Sequence, residues 1–565
     1  MKKNSLELTW IGKNKEIKPE PRVLIEDIKK SYGDQNTENM LIHGDNLLAL
    51  KAIEDKFTNQ IKCIYIDPPY NANATGVPFD DNIKHSFWLN LMRERLSLLH
   101  KLLKDDGLIF VNIDDNEQAY LTVMMDEIFG RENGFDKISV KTSSSQGGFG
   151  DVNPGLVSNV ENILVYVKDK NYKKKCFNEK NMFIQKKYDE NYKFIMTNKE
   201  ELEYTDINSI AYKELQIDEP YNSATWRRLK KKYGVAYKEI LYNTKSKIAL
   251  ENKENVFRTY NPNKPSKKLE KILKKSKEKN NKNKIITDID SKGNQRFILN
   301  GEVVLFYSKI FKKIGEEIVP AEKLKTLWDN ISWEGISKEG GVKLRNSKKP
   351  ERLIKRIIEI STKPNDIVLD SFLGSGTTCA VAHKMNRRWV GIELGEHCYT
   401  LCKKRLDNVI NGEQSGISSE VSWKGGGGYK FYELAPSLLV KDKFGNWVIS
   451  KKYNDKMLVE AMCKQEKFEY LPNSKCFWKQ GKSSENDYLF VTTNYITLSY
   501  LQEIENEMND NESLLICCKS YQEECEDKFD NISIKKIPQA ILNNCEFDKD
   551  DYSLNVKEIL EEEDE

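Results

Sequence analysis

The sequence predicts an α/β fold on a mostly parallel sheet, split by an inserted domain and followed by a C-terminal α+β domain. Three observations predict it. Short apolar runs alternate with helical patterns over residues 40–130, and again from about 350 to 395. Such alternation implies parallel β-α-β units. Between 140 and 320 the rhythm is lost and basic, polar sequence replaces it. Finally, 565 residues exceed one ordinary core and imply roughly two to four domains.

The elements follow in order. Leu41-Ile42-His43 is a short apolar run that stops at Gly44-Asp45, and a helix follows through Leu47, Leu48, Leu50 and Ile53. Ile61-Lys62-Cys63-Ile64-Tyr65-Ile66 is rich in β-branched and aromatic residues and reads as a strand. It ends at Asp67-Pro68-Pro69-Tyr70, because two prolines cannot continue a ladder. Residues 87–103 form an amphipathic helix through Leu91, Leu96, Leu99 and Leu103, ended by Asp105-Asp106-Gly107. Leu108-Ile109-Phe110-Val111-Asn112-Ile113 is the next buried strand. Beyond the polar loop at 143–150, the stretch reads as an inserted domain rather than sheet.

The alternation returns with a helix at 352–360, a strand at Ile367-Val368-Leu369-Asp370, a tight loop at Phe372-Leu373-Gly374-Ser375-Gly376-Thr377-Thr378 and a helix from Cys379. Trp389-Val390-Gly391-Ile392-Glu393 is a strand that ends on an acid. From about 425 a third region opens on four glycines and carries strand-like runs at 488–493 and 514–518 but no chemical motif. The expected domains are 1–140, an insert at 141–320, a returning part at 321–420 and a C-terminal domain at 421–565, suited to dimerisation or partner docking.

Composition narrows the class. Hydrophobic residues at 39% and charged residues at 31% fit a globular protein, and no apolar run approaches the roughly 20 residues of a membrane span. No secretory h-region follows Met1. Eleven Cys spread from Cys63 to Cys545 form no disulfide framework and no zinc pattern, so reduced thiols, a cytoplasmic setting and no metal are expected. Net charge is only +3, but its distribution is uneven. Ten Lys fall between Lys264 and Lys284, and Trp226-Arg227-Arg228-Leu229-Lys230-Lys231-Lys232-Tyr233 adds aromatics to a basic cluster. The chain closes on the acidic run 561–565. This asymmetry points to a polyanion bound by the middle of the chain, although a charge run can also be a plain solvated face.

Two loops carry chemistry. Residues 370–393 are a strand, a glycine loop, a helix and a strand ending in acid, the plan of a half-Rossmann nucleoside site. Glycine lets backbone approach a ligand closely, and an acid about twenty residues on can hold ribose hydroxyls. Gly374-Ser375-Gly376-Thr377-Thr378 lacks the Lys and spacing of a phosphate loop, and Cys379 stands where a dinucleotide loop has its third glycine. A nucleoside cofactor without phosphates, S-adenosyl-L-methionine, fits better than ATP or NAD; the plain alternative is an ordinary α/β turn.

Asp67-Pro68-Pro69-Tyr70 sits at a strand's carboxyl end, where open α/β sheets bind ligands. An exocyclic amine of a nucleobase is a poor nucleophile, because its lone pair is delocalised into the ring. Acceptance of its two N–H bonds by the Asp67 carboxylate and the Pro68 carbonyl favours a pyramidal nitrogen aimed at a sulfonium methyl. Pro69 restricts the residue before it, and Tyr70 offers a ring for base stacking. A base paired in a duplex cannot reach such a loop and must be flipped out. Alone, the loop could be a mere strand-ending turn; the glycine loop downstream argues against that.

These residues resemble the DNA amino-methyltransferases, whose [DNS]PP[YFW] and FxGxG motifs appear here as Asp67-Pro68-Pro69-Tyr70 and Phe372-Leu373-Gly374-Ser375-Gly376. The catalytic motif precedes the cofactor motif, as in the β class, where the intervening insert is the target-recognition domain. The resemblance is closer still to the Mod subunits of type III restriction-modification systems. It runs through residues 42–50, 65–71, 111–117 and 349–354, and through Thr492-Thr493-Asn494-Tyr495 and Lys535-Lys536-Ile537-Pro538-Gln539 near the end.

The resemblance implies a Rossmann-like S-adenosylmethionine-dependent methyltransferase domain that modifies N6 of adenine in double-stranded DNA. It also implies a homodimer and a separate Res subunit carrying helicase and nuclease; no P-loop occurs in this chain. It assigns Asp67, Pro68, Pro69 and Tyr70 to the target base. Phe372, Gly374 and Gly376 would flank the methionine part of the cofactor. Asp370 would lie beside it, Glu393 on the ribose and Asp45 at the adenine ring or its amino group. Lys349 and Pro350 fall in the segment before the cofactor strand and join that set. Arg227, Arg228, Lys230, Lys231, Lys274 and Lys275 are the candidate DNA contacts. Two other readings stand beside this one: a solitary adenine-N6 or cytosine-N4 methyltransferase, and a non-catalytic DNA-specificity subunit.

Overall fold

Residues 7–71, 85–142, 159–315, 317–344, 348–484 and 486–552 are described in the computed structural model of the chain. The expected loop at 143–150 and the acidic run 561–565 lie outside the described residues. The chain forms two compact units, one from segments 1–178 and 325–565, the other Glu179–Leu324.

The first unit is built on an eleven-stranded sheet. Its strands are β1 (Leu24–Glu26), β2 (Tyr32–Gly33), β3 (Met40–His43), β4 (Ile61–Ile66), β5 (Leu103–Ile113), β6 (Ile138–Lys141), β7 (Val160–Val167), β8 (Leu327–Trp328), β9 (Ile367–Asp370), β10 (Arg388–Glu393) and β11 (Gly428–Leu434). Their order is β1-β11-β3-β10-β9-β4-β5-β7-β6-β8, with β2 also on β11. The six strands from β11 to β5 are parallel. The crossovers include α1 (Asn46–Phe57), α2 (His85–Leu102), α3 (Glu351–Ser361) and α4 (Thr377–Lys384).

The neighbours β9 and β4 matter most. Val368 lies opposite Cys63 and Leu369 opposite Ile64. From β9 the chain moves outward to β10, and from β4 it moves the other way to β5. The order therefore reverses between them, and the loops after both strands open at this switch point, where doubly wound sheets bind ligands. The platform beneath is a packed apolar core. Leu47, Leu48 and Ile53 on α1, Trp88, Leu96 and Leu99 on α2, and Ile64, Ile66, Ile109 and Val111 on the strands share one buried cluster. Each such side chain contributes roughly 1.5–3 kcal/mol on burial.

The second unit corrects the expectation of an insert without sheet. Glu203–Asp206, Phe194–Asn198, Val256–Tyr260, Glu302–Phe306, Gln295–Leu299 and Ile285–Ile289 form a six-stranded antiparallel sheet in that order. Its strands are four or five residues long, too short for a periodic pattern to stand out from Lys- and Asn-rich surroundings. A local signal existed. Asn300-Gly301, at φ 51° and 84°, makes the tight turn between Leu299 and Glu302, and Asn-Gly is the strongest short hairpin signature.

The insert boundary also moves, from 141 to 179, because β7 pairs antiparallel along β5 and belongs to the main sheet. The C-terminal boundary at 421 moves for the same reason, since β11 pairs with β3. Beyond it, Asp487–Ile496, Ser513–Tyr521 and Ile532–Lys536 run parallel within a second, five-stranded sheet of this unit, packed against the helix Asp455–Glu466. No helix among the described residues is long and apolar enough to cross a membrane.

Candidate active site

The loop after β4 is anchored on both sides. Trp88 Nε1 donates to the Pro69 carbonyl at 2.7 Å. Asn71 Nδ2 donates to Glu117 Oε1 at 2.7 Å, and His85 Nδ1 lies 3.0 Å from the same carboxylate. Between these anchors, Tyr70 Oη donates to Asp67 Oδ1 at 2.8 Å.

Lys349 joins this group. Its Nζ lies 3.1 Å from Asp67 Oδ2, 2.7 Å from Tyr70 Oη and 3.2 Å from Glu161 Oε2. Asn112 Nδ2 donates to Glu161 Oε2 at 2.9 Å and to Asp67 Oδ1 at 3.3 Å, and also touches Tyr70 Oη. Asp67, Tyr70, Asn112, Glu161 and Lys349 therefore form one polar cluster, drawn from β4, β5, β7 and the segment before α3. Burial pushes the Asp67 carboxyl up, with Lys349 opposing and Glu161 adding to the rise. Burial works against the Lys349 ammonium, but Asp67 and Glu161 outweigh it and hold its pKa above the ordinary value.

The loop after β9 is a second centre. Phe372 N donates to Asp370 Oδ1 at 2.9 Å and Thr378 Oγ1 to Asp370 Oδ2 at 2.6 Å. Gly374 N donates to Glu393 Oε2 at 2.6 Å, which ties the loop to the end of β10. Gly374 and Gly376 adopt φ of 59° and 79°, a region that favours glycine. They differ in surroundings. A Cβ on Gly376 would press on the Cys402 backbone at 3.3 Å, whereas one on Gly374 would meet only Leu344, at 3.9 Å. Gly376 is thus needed for packing, and Gly374 leaves backbone open to a ligand.

Beneath the loop, Arg405 Nη1 donates to Thr377 Oγ1 at 2.6 Å, and its Nη2 pairs with Glu351 Oε1 at 2.8 Å. Lys384 Nζ pairs with Glu351 Oε2 at 2.9 Å. All three charged side chains are fully buried.

Burial raises the Asp370 carboxyl to about 7, against the bonds from Thr378 and Phe372 that lower it. Between its ordinary 3.8 and that value, the folded protein holds a proton that the unfolded chain has released. The resulting stabilisation is fully present below the unfolded value and is lost as pH rises through about 7. Asp370→Asn is expected to flatten this decline, read as the denaturant midpoint against pH. An unchanged slope would place the titration elsewhere.

Lys349, expected with the cofactor set, lies against the Asp67 loop, and Pro350 stands at the N-cap of α3 with φ −65°, ψ 137°. Asp45 does not offer a free carboxylate. Its Oδ1 caps α1 through Leu47 N and Leu48 N at 2.9 and 3.1 Å, and its Oδ2 pairs with Arg95 at 3.1 Å. Glu393, expected on the ribose, is tied to the glycine loop through Gly374 N and is also pinned, accepting from Leu394 N at 2.9 Å and lying 2.9 Å from His397 Nε2.

In the second unit, Arg227, Lys230 and Lys231 on the helix Thr225–Tyr233, and Lys274 and Lys275 on the helix Lys267–Ser276, are exposed. Arg228 is not free: its guanidinium is bound to the Asp218 and Pro220 carbonyls. Sequence reasoning missed Glu161 and Asn112. Asn112 interrupts the apolar run 108–113, and Glu161 stands with Asn162 at the start of a strand that is apolar from 163 to 167; that was the available signal.

The family N6_N4_Mtase, described as DNA methylase, matches residues 61–404 and so takes in both loops and the insert between them. Among curated relatives, the chain is 36% identical over 433 residues to the "Probable type III restriction-modification enzyme HindVI Mod subunit" of Haemophilus influenzae. That alignment covers 73% of this chain and 56% of the relative. The type III restriction-modification enzyme EcoPI Mod subunit of Escherichia phage P1 is 26% identical, covering 74% of this chain and 66% of that protein. The type II methyltransferase M.KpnI of Klebsiella pneumoniae is 27% identical, covering 64% and 80%. The chain thus spans somewhat more than half to two thirds of the two Mod subunits. With the two loops adjacent at the switch point and the match extending over both, the chain belongs to the N6/N4 DNA methylase family.

Proposed function

We propose that this chain is a site-specific DNA methyltransferase that moves a methyl group from S-adenosyl-L-methionine to N6 of a flipped-out adenine, as the Mod subunit of a type III restriction-modification system. The observation that carries the reading is the adjacency of the Asp67-Pro68-Pro69-Tyr70 and Phe372–Gly376 loops across β4 and β9. The cofactor fits the loop's chemistry. Residues 370–378 hold Asp370 and no basic side chain, and Glu393 is bonded to Gly374 N, a setting suited to a cation and not to phosphates. Phe372, Gly374 and Glu393 would hold the cofactor, which when bound supplies an electrophilic methyl. Asp67 and the Pro68 carbonyl accept the amine N–H bonds and aim the nitrogen lone pair, and the Tyr70 ring supports the base. The work is positioning and electrostatics, because the amine proton becomes acidic once nitrogen is alkylated.

Double-stranded DNA is the substrate in this reading, with the exposed basic helices of Glu179–Leu324 on its phosphates. Charge reversal at Lys230 and Lys231, or at Lys274 and Lys275, is expected to weaken DNA binding. It should also flatten the log affinity–log salt slope by about 0.9 for each phosphate that is no longer neutralised. Titrations at several salt concentrations read both effects; an unchanged slope would exclude these lysines from the DNA interface.

Homodimerisation and a Res partner belong to the same proposal. A second reading is a methyltransferase without a restriction partner, favoured by the 80% share of M.KpnI that this chain spans. Sequencing modified bases in DNA from cells with and without this protein tests the activity, and co-purification separates the two readings. Absence of any chain-dependent N6-methyladenine would overturn the proposal.

A further inference from the structure

Asp67 does not stand alone. Glu161 comes from β7, 94 residues further along the chain, yet it shares both Lys349 and Asn112 with Asp67. Lys349 and Asp67 are largely buried, with side-chain exposures of 8% and 17%, and Glu161 stands at 19%. In such a setting charges interact strongly.

The charge count decides what Glu161 does. Asp67 and Lys349 alone sum to zero, and Glu161 brings the cluster to −1. During methyl transfer the S–CH₃ bond breaks as the N6–CH₃ bond forms. Positive charge moves from sulfur to N6, then leaves with an N6 proton by way of the Asp67 carboxylate and water. A Lys349 ammonium 3.1 Å from Asp67 Oδ2 opposes that movement unless a second carboxylate balances it. We propose that Glu161 is a charge-balancing positioning residue of the methyl-transfer site: it holds Lys349 between two carboxylates and cancels the repulsion that the ammonium exerts on charge developing at the target nitrogen. This inference rests on the methyltransferase reading above and goes beyond it by assigning residues outside the two loops.

The test is a double-mutant cycle in the full chain. Glu161→Gln, Glu161→Asp, Lys349→Met and the Glu161→Gln/Lys349→Met pair are assayed for transfer of labelled methyl groups to unmethylated genomic DNA. Calorimetry reads S-adenosylmethionine binding in each variant. Glu161→Gln is expected to lower kcat by about 10- to 100-fold, with cofactor Kd within about threefold of wild type. Glu161→Asp, which keeps the charge, is expected to recover most of the loss. The double variant returns the cluster to −1 and is expected to be faster than Glu161→Gln by about tenfold. A purely structural Glu161 predicts the opposite order, because the double variant removes more of the hydrogen bonding around Asp67. Wild-type kcat in Glu161→Gln, or a double variant no faster than Glu161→Gln, overturns this inference alone. A wild-type chain that methylates no DNA overturns the parent reading and this inference with it.

Discussion

Replacing Asp67 with asparagine is expected to lower kcat for methyl transfer by about a thousandfold while S-adenosylmethionine binds as before. The substitution keeps the shape of the side chain. Its amide oxygen can still accept from Tyr70 Oη, which lies 2.8 Å from Asp67 Oδ1. What changes is the second oxygen, 3.1 Å from Lys349 Nζ, which becomes an NH₂ group facing an ammonium. The amine of the target base then loses a charged acceptor at the moment positive charge develops on it. Cofactor binding is spared because Gly374, Glu393 and Asp370 belong to the β9 and β10 ends, with their own backbone bonds. Single-turnover transfer of labelled methyl groups, with calorimetric cofactor binding alongside, reads the split. Activity within tenfold of wild type would remove Asp67 from the chemistry.

The second large effect concerns stability. Glu351→Gln is expected to cost about 3–5 kcal/mol and to lower the Tm by many degrees. Glu351 accepts from Arg405 Nη2 at 2.8 Å, from Lys384 Nζ at 2.9 Å and from the Ile417 backbone at 3.1 Å. An amide leaves two fully buried cations around a neutral group and turns one acceptor into a donor. Glu413, which also touches Lys384, is only partly able to compensate, because its hydrogen bonds and ion pairs among the described residues do not extend to Arg405. The effect reaches function through Arg405, whose Nη1 holds Thr377 Oγ1 at 2.6 Å under the glycine loop. A looser loop is expected to weaken cofactor binding as well. Chemical denaturation and calorimetry on the same preparation measure both. A loss under 1 kcal/mol would mean that water has entered and screens the cluster.

Both loops are legible in local sequence. Two prolines must end β4 after Ile66, the glycines at 374 and 376 must open a turn after β9, and an acid must close β10. Each of these follows from neighbours within about twenty residues, through backbone dihedrals and side-chain period. The order of the two loops along the chain, with basic sequence between, was equally legible, and with it the family.

Which side chains meet depends on strand order and long-range packing. Lys349 and Tyr70 are 279 residues apart and touch because β9 and β4 are neighbours, a matter of strand order that no local period encodes. Glu161 enters the site because β7 turns back antiparallel along β5, in a stretch that reads from sequence as the start of the insert. Asp45 reads as a strand-ending acid suited to a ligand; its Oδ1 caps α1 locally, and its Oδ2 is engaged because Arg95 arrives from α2. Local chemistry names the candidate groups, but the packing of distant strands and helices fixes which charges share a buried space, and there the pairing energies are large enough to set each group's role.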